Sequence, residues 1–184
     1  MSVVCPRCGS HKVYQLDYGA KIASGVDVSQ NCLYKCNACK QEFGTVCGTS
    51  LYTSIVRRLT IEINGLYSGT DSVCLVYTKG ADSIQYKLTS KKRNLIAKGV
   101  ISDSDWAGIT DKLFNSLYLT GWKSNFYNSD IIDGTTWSIE VKLEKKHALS
   151  YHGCNGYPPY WNQLLELIAP VLSEHGIDSR MFAV

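Results

Sequence analysis

Two short cysteine pairs constrain this chain more than any other feature. Cys5-Pro6-Arg7-Cys8 is followed by Gly9, and Cys36-Asn37-Ala38-Cys39 by Lys40, with 27 residues between the pairs. A C-x-x-C pair on a tight turn brings two sulfurs to one metal ion. Two such turns supply the four thiolates that a tetrahedral zinc ion takes. Gly9 offers permissive backbone after the first turn. Four protein thiolates leave no coordination position for water, so the spacing predicts one structural zinc ion rather than a catalytic one. Cys32 lies four residues before Cys36, and Cys32 or Cys47 could replace one of the four ligands. The other reading of both is a small apolar side chain.

Six of the eight cysteines lie within residues 1–47. The N-terminus lacks the basic and then apolar run of a secretory signal, and no stretch approaches the roughly 18 apolar residues of a membrane helix. The expectation is a cytoplasmic protein with reduced thiols, in which paired cysteines read as metal ligands. With 45% apolar and 19% charged residues in 184, the composition is globular and excludes a largely disordered chain. A formal charge of +3 is low for a purely electrostatic grip on nucleic acid. Four thiolates around one zinc ion would lower it to about +1.

Residues 1–47, with both turns and Phe43 after the second, resemble the zinc-ribbon family. The resemblance implies turns at hairpin tips closing on zinc, and a role in binding nucleic acid, binding protein or bracing a neighbouring domain. Arg7, Lys12, Lys35 and Lys40 surround the turns and could form a phosphate-facing rim. Compensation of the thiolate charge is the favoured reading. Metal removal is expected to unfold residues 1–47 and leave the rest folded.

The small, polar stretch from Gly44 to Ser54 marks a boundary, with domains expected at 1–47 and 48–184. In the second, Ile55, Arg57, Leu59, Ile61 and Ile63 alternate with mostly polar residues, as in a strand. Val73–Thr78, Ile84–Thr89 and Asn94–Ile101 read as three more. Ser102 and Asp105 form a capping box for a helix from Asp103 to Leu117, whose apolar face carries Trp106, Ile109, Leu113 and Leu117. Asn125–Ile132 reads as a strand, and Asp133-Gly134 as a hairpin turn leading into the alternation of Trp137, Ile139, Val141 and Leu143. His147–His152 is the expected next partner. Pro158 and Pro159 open a helix with a buried stripe of Trp161, Leu164, Leu165, Ile168 and Leu172. Pro170 is expected to kink or break it. Gly176 closes it in the left-handed conformation, with Ile177 making the hydrophobic contact. Strands in runs, then a helix, twice over, predict an α+β chain: a small β module followed by a two-layer domain of mainly antiparallel sheet with two helices.

Other candidates are weaker. Lys91-Lys92-Arg93, with Lys98, is the densest basic run and could touch phosphates, but such a run is usually a solvated loop. His152 and Cys154 share a strand face beside Asn155, and a Cys–His pair can activate a thiolate. Asp130 and Asp133 could be paired carboxylates, although a turn explains Asp133 equally well. There is no Walker loop, GxSxG, HExxH or dinucleotide fingerprint. Trp122, Phe126, Tyr127, Asp133-Gly134, Trp137 and then Gly153-x-Asn155-x-Tyr157-Pro158 resemble an uncharacterised bacterial domain over roughly residues 105–175. That resemblance implies no activity, and fold maintenance is the favoured role of these residues. Together these observations predict a non-enzymatic, zinc-binding adaptor for a macromolecular partner, protein first and nucleic acid second. An enzyme with a site at residues 151–157 is the remaining alternative.

Overall fold

A computed structural model describes residues 3–16, 33–44, 54–65, 71–130, 134–144 and 147–184. The expected domain boundary, Cys32, Cys47 and Asp133 lie outside these residues. Three short antiparallel strands form a small sheet: β1 (Val13–Gln15), β2 (Tyr34–Cys36) and β3 (Glu42–Phe43). Seven more form the main sheet: β4 (Val56–Gly65), β5 (Ser72–Lys79), β6 (Ile84–Ser90), β7 (Leu95–Ile101), β8 (Asn125–Tyr127), β9 (Thr135–Leu143) and β10 (Ala148–Cys154). Their spatial order is β7-β6-β5-β4-β9-β10-β8. The chain is α+β, as expected.

Residues alternate between the faces of this sheet because the strand period is two. Leu59, Ile61 and Ile63 of β4 lie directly opposite Val141, Ile139 and Trp137 of β9, and all six are buried. A register shift between Val56 and Arg58 changes the phase at the start of β4. Val56 is buried while Arg57 and Arg58 are both exposed, so Arg57 does not share the face of Leu59 as simple alternation predicts. Arg57 pairs with Glu144.

Two helices cover the face that carries the buried residues. Helix α1 (Asp103–Asp111) starts with the expected capping box. The Ser102 hydroxyl accepts from the Asp105 N–H at 3.0 Å, and the Asp105 carboxylate accepts from the Ser102 N–H at 3.4 Å. The predicted helix to Leu117 is α-helical only as far as Asp111, and Lys112–Ser116 form a π turn. The widened turn leaves Leu113, Phe114 and Leu117 all buried. Helix α2 (Trp161–Glu174) buries all five predicted stripe residues. Pro170 does not break it. Pro170 and Glu166 are both exposed, so the Glu166 carbonyl, which loses its helical donor, is open to water. At the C-terminus, the Ile177 N–H donates to the Leu172 carbonyl and the Gly176 N–H to Ser173, both at 2.9 Å. With Gly176 at φ 72 and Ile177 fully buried, this is a complete Schellman motif.

The predicted hairpin through Asp133-Gly134 does not form. The segment before it shortens to β8, which lies at the far edge of the sheet and pairs in parallel with β10. β10 stands between β8 and β9, so the sheet is mainly rather than wholly antiparallel. The other face of the sheet carries no helix among the described residues.

Close packing at Gly99 gives a direct test of this arrangement. A Cβ there would lie 2.4 Å from Tyr86 Cε1. The Tyr86 hydroxyl is 3.1 Å from His175 Nε2. Gly99→Ala is expected to displace the Tyr86 ring and destabilise the protein by about 1–3 kcal/mol in urea denaturation.

Candidate metal centre

The two cysteine turns have the same backbone design. In the first, the Gly9 N–H donates to the Cys5 carbonyl at 2.8 Å; in the second, the Lys40 N–H donates to the Cys36 carbonyl at 2.9 Å. Gly9 and Lys40 both adopt left-handed backbone, at φ 71 and 62. Glycine takes this conformation freely, whereas lysine is strained by it. The turns are tied together by the Asn37 N–H, which donates to the Lys12 carbonyl at 2.8 Å.

This geometry converges four thiols. Cys5 Sγ lies 3.6 Å from Cys39 Sγ, and Cys8 Sγ lies 3.7 Å from Cys36 Sγ. All four sulfurs fall within 4.8 Å of one another. A metal–sulfur bond of about 2.3 Å in a tetrahedron requires sulfurs about 3.8 Å apart. The sulfurs therefore fit one tetrahedral ion. Cys5 and Cys36 are buried, and Cys8 faces solvent. Burial pushes the Cys5 thiol up to about 12. It also raises Cys8. Burial acts the same way on Cys36, but N–H donors of Cys39 and Ala38 and the neighbouring thiols overcome it and bring Cys36 down to about 6.

The module is seated on the larger sheet's helical layer. The Tyr160 hydroxyl donates to the Val4 carbonyl at 2.8 Å, while the Val4 N–H lies 3.0 Å from the same oxygen. Tyr118 forms edge contacts with Tyr34, Phe43 and Tyr160, at centroid distances of 5.7, 5.2 and 5.7 Å. At Gly121 the side chains of Phe43 and Pro6 pack so tightly on the backbone that a Cβ would lie 2.7 Å from both Phe43 Cβ and Pro6 Cγ. Phe43 is thus an anchor, as well as the strand residue that the sequence pattern suggests. Tyr118, Gly121 and Tyr160 escaped the sequence reading, because aromatic and glycine residues in a loop carry no periodicity.

The basic residues around the turns are engaged locally. Arg7 donates to Gln41 Oε1 at 2.8 Å, and Lys35 pairs with Glu42 at 2.9 Å. Lys40 is exposed. The Lys91–Arg93 turn wraps a buried carboxylate, Asp71, that sequence reasoning missed. Asp71 accepts from the Ser90 hydroxyl at 2.6 Å and the Lys92 N–H at 3.1 Å, and Arg93 Nε lies 3.7 Å away. Lys98 lies apart from this turn, on β7.

The residues 151–157 are packed rather than hollow. His152 and Cys154 do share the outer face of β10, while Asn155 is buried at φ 55. A Cβ at Gly134 would lie 1.4 Å from Asn155 Oδ1, and one at Gly153 would lie 2.4 Å from Trp137 Nε1. Trp137 Nε1 donates to the Gly156 carbonyl at 2.9 Å, and Tyr157 packs on Trp161 with centroids 5.0 Å apart. The glycine, asparagine and tryptophan motifs of the C-terminal half therefore meet in one packing knot. Asp130 is exposed, and its N–H bonds Asn128.

No protein-family model, curated protein or solved structure matches this chain. No helix of the described residues is long and apolar enough to cross a membrane.

The thiol protonation fixes the sign of a pH effect. Cys5 and Cys8, both raised, hold their protons at pH 7 without metal, and a bound ion displaces them. Lowering the pH is therefore expected to weaken metal binding, by about two decades or more in affinity per unit below pH 7. Competition titrations with a chelator at a series of pH values read this slope.

Proposed function

We propose that this is a zinc-stapled, non-catalytic binding protein of the cytoplasm. Residues 1–47 form its zinc-ribbon module and residues 48–184 its α+β domain. The observation that carries the reading is the four-sulfur cluster at tetrahedral spacing, seated on Tyr118, Gly121 and Tyr160. An all-thiolate tetrahedral site suits zinc. Cys5, Cys8, Cys36 and Cys39 fill its coordination, so the ion supplies folding energy, on the order of 10 kcal/mol, and no open position for chemistry. The packed knot at residues 151–157 speaks against an enzyme site there.

The sheet face left bare among the described residues is the surface on which we place an adaptor function towards a protein partner. Edge strand β7 supports it: Ile96 and Val100 are 69% and 66% exposed on a strand with no outer neighbour among the described residues. Exposed apolar side chains on an unpaired strand edge suit protein contact. Nucleic acid is a second reading, favoured by Arg58, Lys87 and Lys98 on the same face, none of them ion-paired among the described residues. All four tryptophans are buried, which leaves Tyr14 and Tyr127 as the exposed tyrosine rings for stacking on single strands among the described residues.

The purified protein is expected to carry one zinc per chain by elemental analysis, and Cys36→Ser to lose it. Iron, or no metal at all, would overturn the proposal. Anisotropy of labelled DNA and RNA across a salt series separates the partners. Salt-independent or absent binding is expected for a protein adaptor, whereas affinity falling steeply with salt replaces it by the second reading.

A further inference from the structure

The bare sheet face is not flat. Strands β4 to β7 curve into an open concavity of 680 Å³ lined by residues of all four strands. Its size lies within the range of small-molecule sites. Lys87 of β6 and Lys98 of β7 stand directly opposite each other in the register, and Arg58 of β4 faces the same hollow. Like charges directly opposite in a sheet are destabilising. None of the three cations has a carboxylate partner among the described residues. The two acids nearest on this face are occupied. Glu62 is contacted by the Cys74 thiol at 3.5 Å and the Ser138 hydroxyl at 3.4 Å, and Glu140 pairs with Lys142 at 3.7 Å.

We infer that this concavity is a binding site for a phosphate-bearing ligand of nucleotide size, held by Arg58, Lys87 and Lys98. A phosphate placed between the two lysines converts their repulsion into attraction, and a second phosphate or an ester oxygen meets the Arg58 guanidinium. Thr78 and Gln85, on the same wall, offer neutral hydrogen-bond donors, and Val76 and Val100 offer apolar contact for a sugar or base. The cations come from three different strands and are brought together only by the strand register, unlike the contiguous Lys91–Arg93 run, whose turn is committed to Asp71. The site is separate from the zinc module, but it shares the bare face with the proposed adaptor surface, Val100 included.

The test is a titration of the full-length, metal-loaded protein with pyrophosphate, ATP and a 12-nucleotide oligo-dT, followed by amide chemical shifts. Shifts are expected on β4 to β7, around Arg58, Lys87 and Lys98. The double variant Lys87→Gln, Lys98→Gln is expected to weaken binding by about tenfold or more and to lower the salt slope by about two. Lys112→Gln, an exposed cation on the helical layer, should bind as the parent does. Removing the like-charge pair should leave the thermal midpoint unchanged or raised, which separates lost binding from lost folding. Binding of ATP alone identifies a free nucleotide as the source of the phosphates and leaves the adaptor reading standing; binding of the oligonucleotide identifies a chain, which supports the site and replaces the adaptor reading with the nucleic-acid one. Absence of binding by all three probes, or binding that the double variant leaves intact, overturns it.

Discussion

The antiparallel pairing of β4 with β9 is the constraint on which everything else rests. It joins the hairpin array of β4 to β7 to the array of β9, β10 and β8, and does so through cross-strand apolar pairs: Leu59 with Val141, Ile61 with Ile139, Ile63 with Trp137. Burying several such side chains contributes about 1.5–3 kcal/mol each. Both helices pack on the face these residues define, through Tyr77 against Trp106 and Trp137 against Trp161. The cysteine module in turn packs on residues attached to those helices. A disturbance at β4–β9 therefore reaches the cysteine cluster, whereas the main sheet's own pairing uses no residue of the cysteine module.

The two faces of the main sheet divide the labour. The helical face is saturated with aromatic contacts and close glycine approaches, where Gly99, Gly121 and Gly153 each admit a ring or a neighbouring backbone that a methyl group would exclude. The bare face carries Arg58, Lys87 and Lys98 together with the exposed aliphatic residues Ile96 and Val100. Burial is thus concentrated on one side of the platform, while its reverse is open to a partner.

Local pattern made part of this legible. The C-x-x-C pairs, the capping box at Ser102, the stripe of α2 and its Gly176–Ile177 closure are each written within a few residues, and each is found where the spacing places it. Features set by distant segments were not legible. Asp133-Gly134 looks like a hairpin turn on local chemistry, but β10 inserts between the strands it would have joined. The π turn after Asp111 coincides with the burial of Leu113, Phe114 and Leu117 together, which helical spacing of the apolar residues does not announce. Lys87 and Lys98 are unremarkable in sequence, and become neighbours only through the register of β6 on β7. At the candidate metal centre the pairing of the four cysteines was legible, but the seat formed by Tyr118, Gly121 and Tyr160 was not, because no motif links residue 4 to residue 160.

That seat has a consequence for the order of events during synthesis. Both cysteine turns are translated before the residues that seat them, Tyr118, Gly121 and Tyr160. The Tyr160 hydroxyl that clasps Val4 is made more than 150 residues after it. Contacts of such long sequence separation form late. The cysteine module must wait for its full seat until the Tyr160 segment has been translated and α2 has folded onto the sheet. The cysteine module is therefore made before its seat and docks after it.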